Sequence, residues 1–317
     1  MVDVSVIIPT YNRANYLKNA IENMRAQTFQ NWELIVVDDG STDETSKLMS
    51  QMAEEDKRIL YLRKANEGRA GLARNIGIEK AQGKYVAFLD DDDLWVTHKL
   101  ERQVCYMECH PEIGFSYSWY EIFGMRDQTK RLAGRIPEKP ALKFGDFLRV
   151  FVAHSAMMIR RSSIKGNEWF DPNCIHSEDY YLCLCLAELC QAGFIDEALA
   201  FTVMDERVHR GANMATTAKA VIHILEDLYP KPSFRRFRRE IRQEIARRHY
   251  YLGHDHLDQS DFLEAACHFL QALAKEPLIR FTARREGEKG ISLFISVVKS
   301  YLAVPSCFLK GLIDGRR

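Results

Sequence analysis

Four aspartates in a row, Asp90-Asp91-Asp92-Asp93, follow directly on the apolar run Tyr85–Leu89. Adjacent carboxylates repel one another unless something positive sits among them. An exposed acidic turn disperses that repulsion into water, but these four are tethered to a segment that reads as a buried strand. A hard divalent cation, Mg²⁺ or Mn²⁺, resolves the repulsion, because such ions take oxygen ligands and commonly share them with substrate phosphates. A second acidic pair, Glu178-Asp179, opens the apolar stretch Glu178–Leu189. A carboxylate at a helix N-terminus is stabilised as the anion and can still take a proton from an attacking hydroxyl; plain helix capping uses the same position. Further polar groups gather at Thr10-Tyr11-Asn12 and at Asp38-Asp39.

The elements that must position these groups alternate in the first hundred residues. Val4–Ile8 is an all-apolar, β-branched run of the kind buried on both faces of a parallel sheet. Ala14–Gln27 has helical spacing, Glu33–Val37 is a second buried strand, and Ser41-Thr42-Asp43-Glu44 reads as the cap and acidic first turn of a helix through Met52. Ile59–Leu62 is a third strand; Gly71–Ala81 is a helix whose following Gly83 suits a left-handed C-cap. Tyr85–Leu89 is the fourth strand. The order βαβαβαβ implies a parallel sheet with right-handed crossovers, and in such sheets ligands bind outside the carboxyl ends of the strands. Three strand ends here carry polar groups to one rim. Later, Ile113–Ser118 reads as a strand, His154–Arg161 as a strand or strand-turn, Gln128–Pro140 as a polar loop, Glu178–Leu189 as a helix, and the chain from Thr217 as mostly helical.

SVIIPTYNR, VVDDGSTD, GLARNIGIEKAQGKY, FLDDDD and a later SED, in that order over residues 2–215, resemble the motif series of family 2 glycosyltransferases with the GT-A fold. The resemblance implies an α/β, Rossmann-like catalytic domain with a mostly parallel sheet flanked by helices. It further implies an inverting, metal-dependent transfer of a sugar from a nucleotide diphosphate to an acceptor hydroxyl. Residue by residue, Pro9, Thr10, Tyr11 and Asp38 match the positions that hold the nucleotide base. Arg74 matches the arginine near the phosphates, and an arginine suits that place because it grips phosphate bidentately. A carboxylate at Asp38 accepts from the ring N–H of uracil, thymine or guanine, which favours UDP, dTDP or GDP donors. Asp90 and Asp92 match the aspartate–x–aspartate signature as metal ligands, with Asp91 at the sugar or ribose and Asp93 supporting the turn. Asp179 matches the general base, Glu178 lies beside it as an acceptor contact or a support, and His209 in Arg207–Ala215 matches a third metal or phosphate contact, although the family's closing serine is Ala215 here.

Composition narrows the alternatives. In 317 residues, 46% are hydrophobic and 28% charged, an ordinary folded-protein balance. No GxGxxG follows a strand and no GxxxxGK[ST] is present, which argues against dinucleotide and P-loop sites. The 44 basic and 44 acidic residues cancel overall, but residues up to Pro230 hold 27 and 34 while those from Lys231 hold 17 and 10. Two regions are therefore expected: residues 1–218 as the catalytic domain and 219–317 as a helical region comprising a basic helix, a hairpin and an amphipathic tail. The hairpin, in Ala246–Ile279, resembles a single tetratricopeptide repeat through Leu252-Gly253, Ala265, Phe269, Ala272 and Pro277. Lys231–Arg248, with eight basic and two acidic residues, reads as a solvated face or as a site for an anionic membrane surface; no nucleic acid is expected. The implied partners are a nucleotide-sugar donor and a hydroxyl acceptor, possible in lipid-linked form. The eight cysteines include no CxxC pair and read as reduced, mostly core thiols. With no leader and no span of bilayer length, the expected location is cytoplasmic, peripheral at the inner face of the membrane. A non-catalytic nucleotide-sugar binder acting through its helices is the alternative from another class.

Overall fold

The computed structural model of the chain describes residues 2–124, 130–133, 143–167, 169–174, 176–204 and 214–276. Two compact units emerge, Met1–Arg210 and Gly211–Arg317. The first begins with β1 (Val4–Thr10), α1 (Ala14–Arg25), β2 (Trp32–Asp38), α2 (Thr45–Glu55), β3 (Ile59–Arg63), α3 (Ala70–Lys80) and β4 (Tyr85–Phe88). It continues with β5 (Asp93–Trp95), α4 (Lys99–Cys109), β6 (Ile113–Gly124), β7 (Lys130–Ala133), α5 (Phe144–Phe147), β8 (Met157–Arg160), α6 (Glu178–Leu189) and β9 (Gln191–Met204).

The sheet order is β3-β2-β1-β4-β8-β6-β9-β5, with β7 on β6. The expected α/β architecture is present: β1 to β4 are mutually parallel, and β6 runs parallel to β9. Strands β5, β7 and β8 join antiparallel. All seven β1 residues are buried, as their apolar run requires of a strand covered on both faces. Between β1 and β4 the order reverses, and the switch point opens a crevice where polar strand ends meet. Register decides which ends meet. Ile7 pairs with Phe88, so three residues on, Thr10 arrives beside Asp91; Thr10 itself pairs with Asp38.

Helix α3 lies tightly on β1. Its buried face is Gly71, Ala73, Arg74, Gly77 and Ile78, and a Cβ on Gly77 would stand 2.5 Å from Ile7 Cγ2. That close approach carries Arg74, one turn earlier, down onto the strand ends.

Several local expectations change. Gly83 is not a left-handed cap: α3 ends at Lys80, Ala81 is extended, and Gly83 is required because a Cβ would stand 2.6 Å from Ser5 N. The Ser41–Glu44 cap forms only in part: α2 starts at Thr45 and Glu44 makes no cap bond, but Asp43 accepts from Thr45 N at 3.0 Å as well as from Ala14 N, while Ser41 accepts from Asn12 N. Within Gln128–Pro140, read as a loop, β7 extends the sheet. Of the two readings of His154–Arg161, the strand-turn holds: a short 3-10 turn leads into β8. The cysteines are free where described, but only Cys183 is buried, while Cys105, Cys109 and Cys267 are exposed.

The second unit contains α7 (Met214–Leu228), α8 (Arg238–Asp258) and α9 (Phe262–Lys275). Helices α8 and α9 form an antiparallel hairpin around Tyr250, Ala265, Phe269 and Ala272, with Gly253 facing the Phe269 ring. The tetratricopeptide likeness remains one of sequence, and Pro277 and the amphipathic 291–313 segment lie outside the described residues. The basic run is partly spent internally: Arg247 and Arg248 hold buried Glu244, and Lys231 pairs with Asp227. Arg235, Arg236, Arg239 and Arg242 are exposed. No described helix is long and apolar enough to cross a membrane.

Because Ile7 is fully buried, the methyl of Gly77→Ala has no room without moving β1 or α3. The variant is expected to lose about 1–3 kcal/mol of unfolding free energy in a denaturant titration. Gly145→Ala, with nothing within 4 Å of the added carbon, should stay near the parent.

Candidate active site

An open cleft of about 400 Å³ lies at the switch point, lined by Pro9, Thr10 and Tyr11, by Arg13, by Asp39, by Gly68 to Ala70 with Ala73 and Arg74, and by Asp90, Asp91 and Asp92. Seven residues expected from the sequence therefore converge: Pro9, Thr10, Tyr11, Arg74, Asp90, Asp91 and Asp92. Tyr11 stands on the rim, 45% exposed.

Arg74 organises the floor. It is 4% exposed, donates from Nη1 to Glu178 Oε2 at 2.8 Å, and donates from Nη2 to Asp90 Oδ1 at 2.5 Å. One guanidinium thus ties the acidic run after β4 to the start of α6. Burial works against its charge, but Asp90 and Glu178 outweigh that and push its pKa above the ordinary value. Burial likewise raises the Asp90 carboxyl, and Arg74 more than offsets it, so Asp90 is held below the usual range. Glu178 also accepts from Gly71 N at 3.2 Å; burial leaves it raised in spite of Arg74.

Asp91 accepts from Thr10 Oγ1 at 2.7 Å, the contact that register sets up, and from Arg13 Nη1 at 2.9 Å. The same Arg13 nitrogen reaches Asp92 Oδ2 at 2.9 Å. Burial pushes Asp91 up to about 6, with repulsion from Asp92 adding to it. Asp93 turns away from the cleft into the sheet, taking hydrogen bonds from Ser155 Oγ and Thr202 Oγ1, and burial followed by Asp90 pushes it well above the carboxylate range.

Asp179 is the second residue of α6, after Ser177, whose backbone is left-handed at φ 59°. It does not line the cleft, but it adjoins Glu178 in the chain and interacts with the Arg74 charge. Its Oδ1 accepts from Tyr180 N at 2.8 Å, and burial, reinforced by Asp90 and Glu178, pushes it up to about 6.

One expectation is corrected outright. Asp38 does not face the cleft. It is fully buried as the last residue of β2, where Oδ1 accepts from Ser41 N at 2.8 Å and Oδ2 from Tyr61 Oη at 2.6 Å. Both oxygens serve the turn and the β3 neighbour. Asp39, one residue on, is the carboxylate that lines the cleft; burial raises it, but Lys64 and the N–H groups of Glu67 and Gly68 hold it below the usual range. Sequence reading also missed Arg13, although it directly follows the strand-end Pro-Thr-Tyr-Asn. His154, in the turn before β8, packs on Phe88 and Phe170 and is kept neutral, its pKa lowered to about 3 by burial and then by Arg74. His209 and the Arg207–Asn213 stretch lie outside the described residues.

Among the described residues no three His, Cys, Asp or Glu side chains form a cage for a metal ion. The donor set still fits Mg²⁺ or Mn²⁺. Asp90 and Asp92 put hard carboxylate oxygens into a cleft wide enough for a diphosphate, and these ions are usually held by one or two carboxylates plus substrate phosphates.

A family model described as glycosyl transferase family 2 matches residues 5–166. The chain belongs to that family. It is 32% identical over 221 residues, 69% of the chain and 82% of the relative, to the Escherichia coli protein WfaP, named UDP-Glc:alpha-D-GlcNAc-diphosphoundecaprenol beta-1,3-glucosyltransferase. An uncharacterized glycosyltransferase of Rickettsia felis is 52% identical over 118 residues, 37% of this chain. The chain spans only about a fifth of the length of that relative, the match covering 19% of it. Among solved structures, residues 1–349 of S. aureus TarS in complex with UDP-GlcNAc superpose with a TM-score of 0.67 at 18% identity, covering 98% of this chain and 92% of that one. The fold of this family 2 chain is accordingly GT-A.

Arg74→Met leaves Asp90 and Glu178 facing each other without their shared cation. The expected loss is about 3 kcal/mol of stability at pH 7, toward the lower end for a buried pair because the Asp90 side chain keeps 34% of its surface exposed. The loss should shrink at pH 5, where protonation relieves the repulsion; urea titrations at both values check it.

Proposed function

We propose that this family 2 chain is an inverting glycosyltransferase that moves a sugar from a UDP-sugar to an acceptor hydroxyl in polysaccharide or glycolipid synthesis. The observation that carries the reading is the Arg74 tie, which joins the start of the Glu178-Asp179 helix to the acidic loop that lines the cleft. A UDP donor is favoured because WfaP is named for UDP-Glc and TarS is solved with UDP-GlcNAc. WfaP's named acceptor favours a diphosphate-lipid-linked sugar here, and exposed Arg235, Arg236 and Arg239 would meet an anionic membrane surface carrying it. The chain would then act on the cytoplasmic side, at the membrane face.

In this mechanism Tyr11 and Thr10 border the base, and Asp39 rather than Asp38 accepts from the uracil imide N–H. Asp90 and Asp92 would hold Mg²⁺ or Mn²⁺, with His209 as a further contact read from sequence. Such an ion neutralises charge developing on a departing diphosphate. Arg74 keeps both acidic segments in place. Asp179, ionised, takes the acceptor's proton as its oxygen bonds to the anomeric carbon; the bond from that carbon to the diphosphate oxygen breaks on the opposite side, and the configuration inverts.

Asp179→Asn should lower transfer by about 10²–10⁴-fold while UDP affinity in the presence of Mn²⁺ stays within about twofold of the parent, as isothermal titration would show. A collapse of UDP affinity with transfer preserved would assign Asp179 a different role. The base must be ionised to act, so kcat/KM is expected to fall as pH drops through about 6. Stability runs the opposite way: the raised pKa means the folded state holds this proton more tightly than the unfolded one, so ionisation removes stability as pH rises from about 4 to 6. Chelation with EDTA should abolish transfer, and added Mn²⁺ should restore it.

A further inference from the structure

Each acid lining the cleft has a cation, and the cations differ in how firmly they are held. Arg74 is buried and engages two carboxylates through separate nitrogens. Lys64 holds Asp39 together with two backbone N–H groups. Arg13 is the loose one: a single nitrogen, Nη1, serves Asp91 and Asp92 at 2.9 Å each, and the side chain is 33% exposed.

Around Arg13 everything except its side chain is fixed. Asn12 is held left-handed at φ 53°, its N–H donates to Ser41 Oγ at 2.9 Å, and its Oδ1 accepts from Thr42 N at 2.7 Å and Asp43 N at 3.3 Å. Thr10 anchors Asp91 from the adjoining strand end. An arginine stays protonated, so the group cannot leave these acids by losing a proton. It can leave only by moving, and its long stem starts from a rigid anchor.

We propose that Arg13 is an exchangeable counter-ion: without donor it sits between Asp91 and Asp92, and a divalent cation arriving with a nucleotide diphosphate displaces it from Asp92 and releases its guanidinium to the diphosphate oxygens. This inference rests on the metal reading of Asp90 and Asp92 given above. Two cations cannot share Asp92 without repelling each other, whereas a diphosphate brings the negative charge that an arginine fork fits. One arginine thus serves as a stand-in for the ion before loading and as a phosphate contact afterwards.

The test measures Mn²⁺ binding to the full chain by electron paramagnetic resonance of the free ion, with and without UDP, in the parent, Arg13→Met and Arg13→Lys. Without UDP, Arg13→Met is expected to bind Mn²⁺ about two- to fivefold more tightly, the scale of one partly exposed ion pair, while Arg13→Lys stays close to the parent. With Mn²⁺ present, Arg13→Met should bind UDP several-fold more weakly than the parent. Mn²⁺ affinity that is unchanged or weaker in Arg13→Met, when the parent binds Mn²⁺ with UDP, overturns the exchange alone. Absence of Mn²⁺ binding in the parent even with UDP overturns it together with the metal reading. Should Arg13→Met not fold, Arg13→Lys keeps the question answerable: it retains the charge, so Mn²⁺ affinity without UDP several-fold above the parent's would contradict the exchange.

Discussion

The site depends on one buried charge. Arg74 is placed under the strand ends by a helix that approaches β1 closely enough to require glycine at Gly77. Once there, its guanidinium is desolvated and must be compensated, and the compensation comes from two segments 88 residues apart in sequence, Asp90 and Glu178. Removing water from the arginine therefore fixes the relative position of the acidic loop and the α6 N-terminus. This is why the network includes a positive charge among so many carboxylates: the acids are kept near one another by what lies between them.

Much of this was legible in the sequence because it is local. Apolar β-branched runs announced β1 to β4, and polar residues at their carboxyl ends announced the rim. Glu178–Leu189 was read with its observed bounds because an acidic first turn precedes a continuous apolar stretch. What escaped was set by tertiary contact. β5 exists only because Asp93–Trp95 pairs with β9, and β7 only because it pairs with β6. Gly83 looks like a helix cap in one dimension, yet its need for glycine comes from Ser5 on a different strand.

Asp38 and Asp39 show the same limit at single-residue scale. Two identical side chains follow one another, and nothing in their type separates them. The strand does: Asp38 still belongs to β2 and is paired with Thr10, so its carboxylate is consumed by Ser41 and Tyr61, while the chain turns at Asp39 and presents it to the cleft. Arg13 was passed over for a related reason. Its importance lies in its distance to Asp91 and Asp92, 78 and 79 residues away, which only the β1–β4 register brings together.

Asp91 and Asp179 reach nearly the same pKa, about 6, by routes that differ in what a ligand can change. Burial is the first cause at both. At Asp91 it is opposed by Arg13 and the Thr10 hydroxyl, both beside the cleft, so a cation or a diphosphate entering there alters the balance directly. At Asp179 it is opposed by the Tyr180 N–H and by Arg74, which belong to the fixed frame. The first carboxylate is thus exposed directly to the loading of the cleft, whereas the second feels it at one remove, through the charge of Asp90, which lines the cleft and helps to raise Asp179.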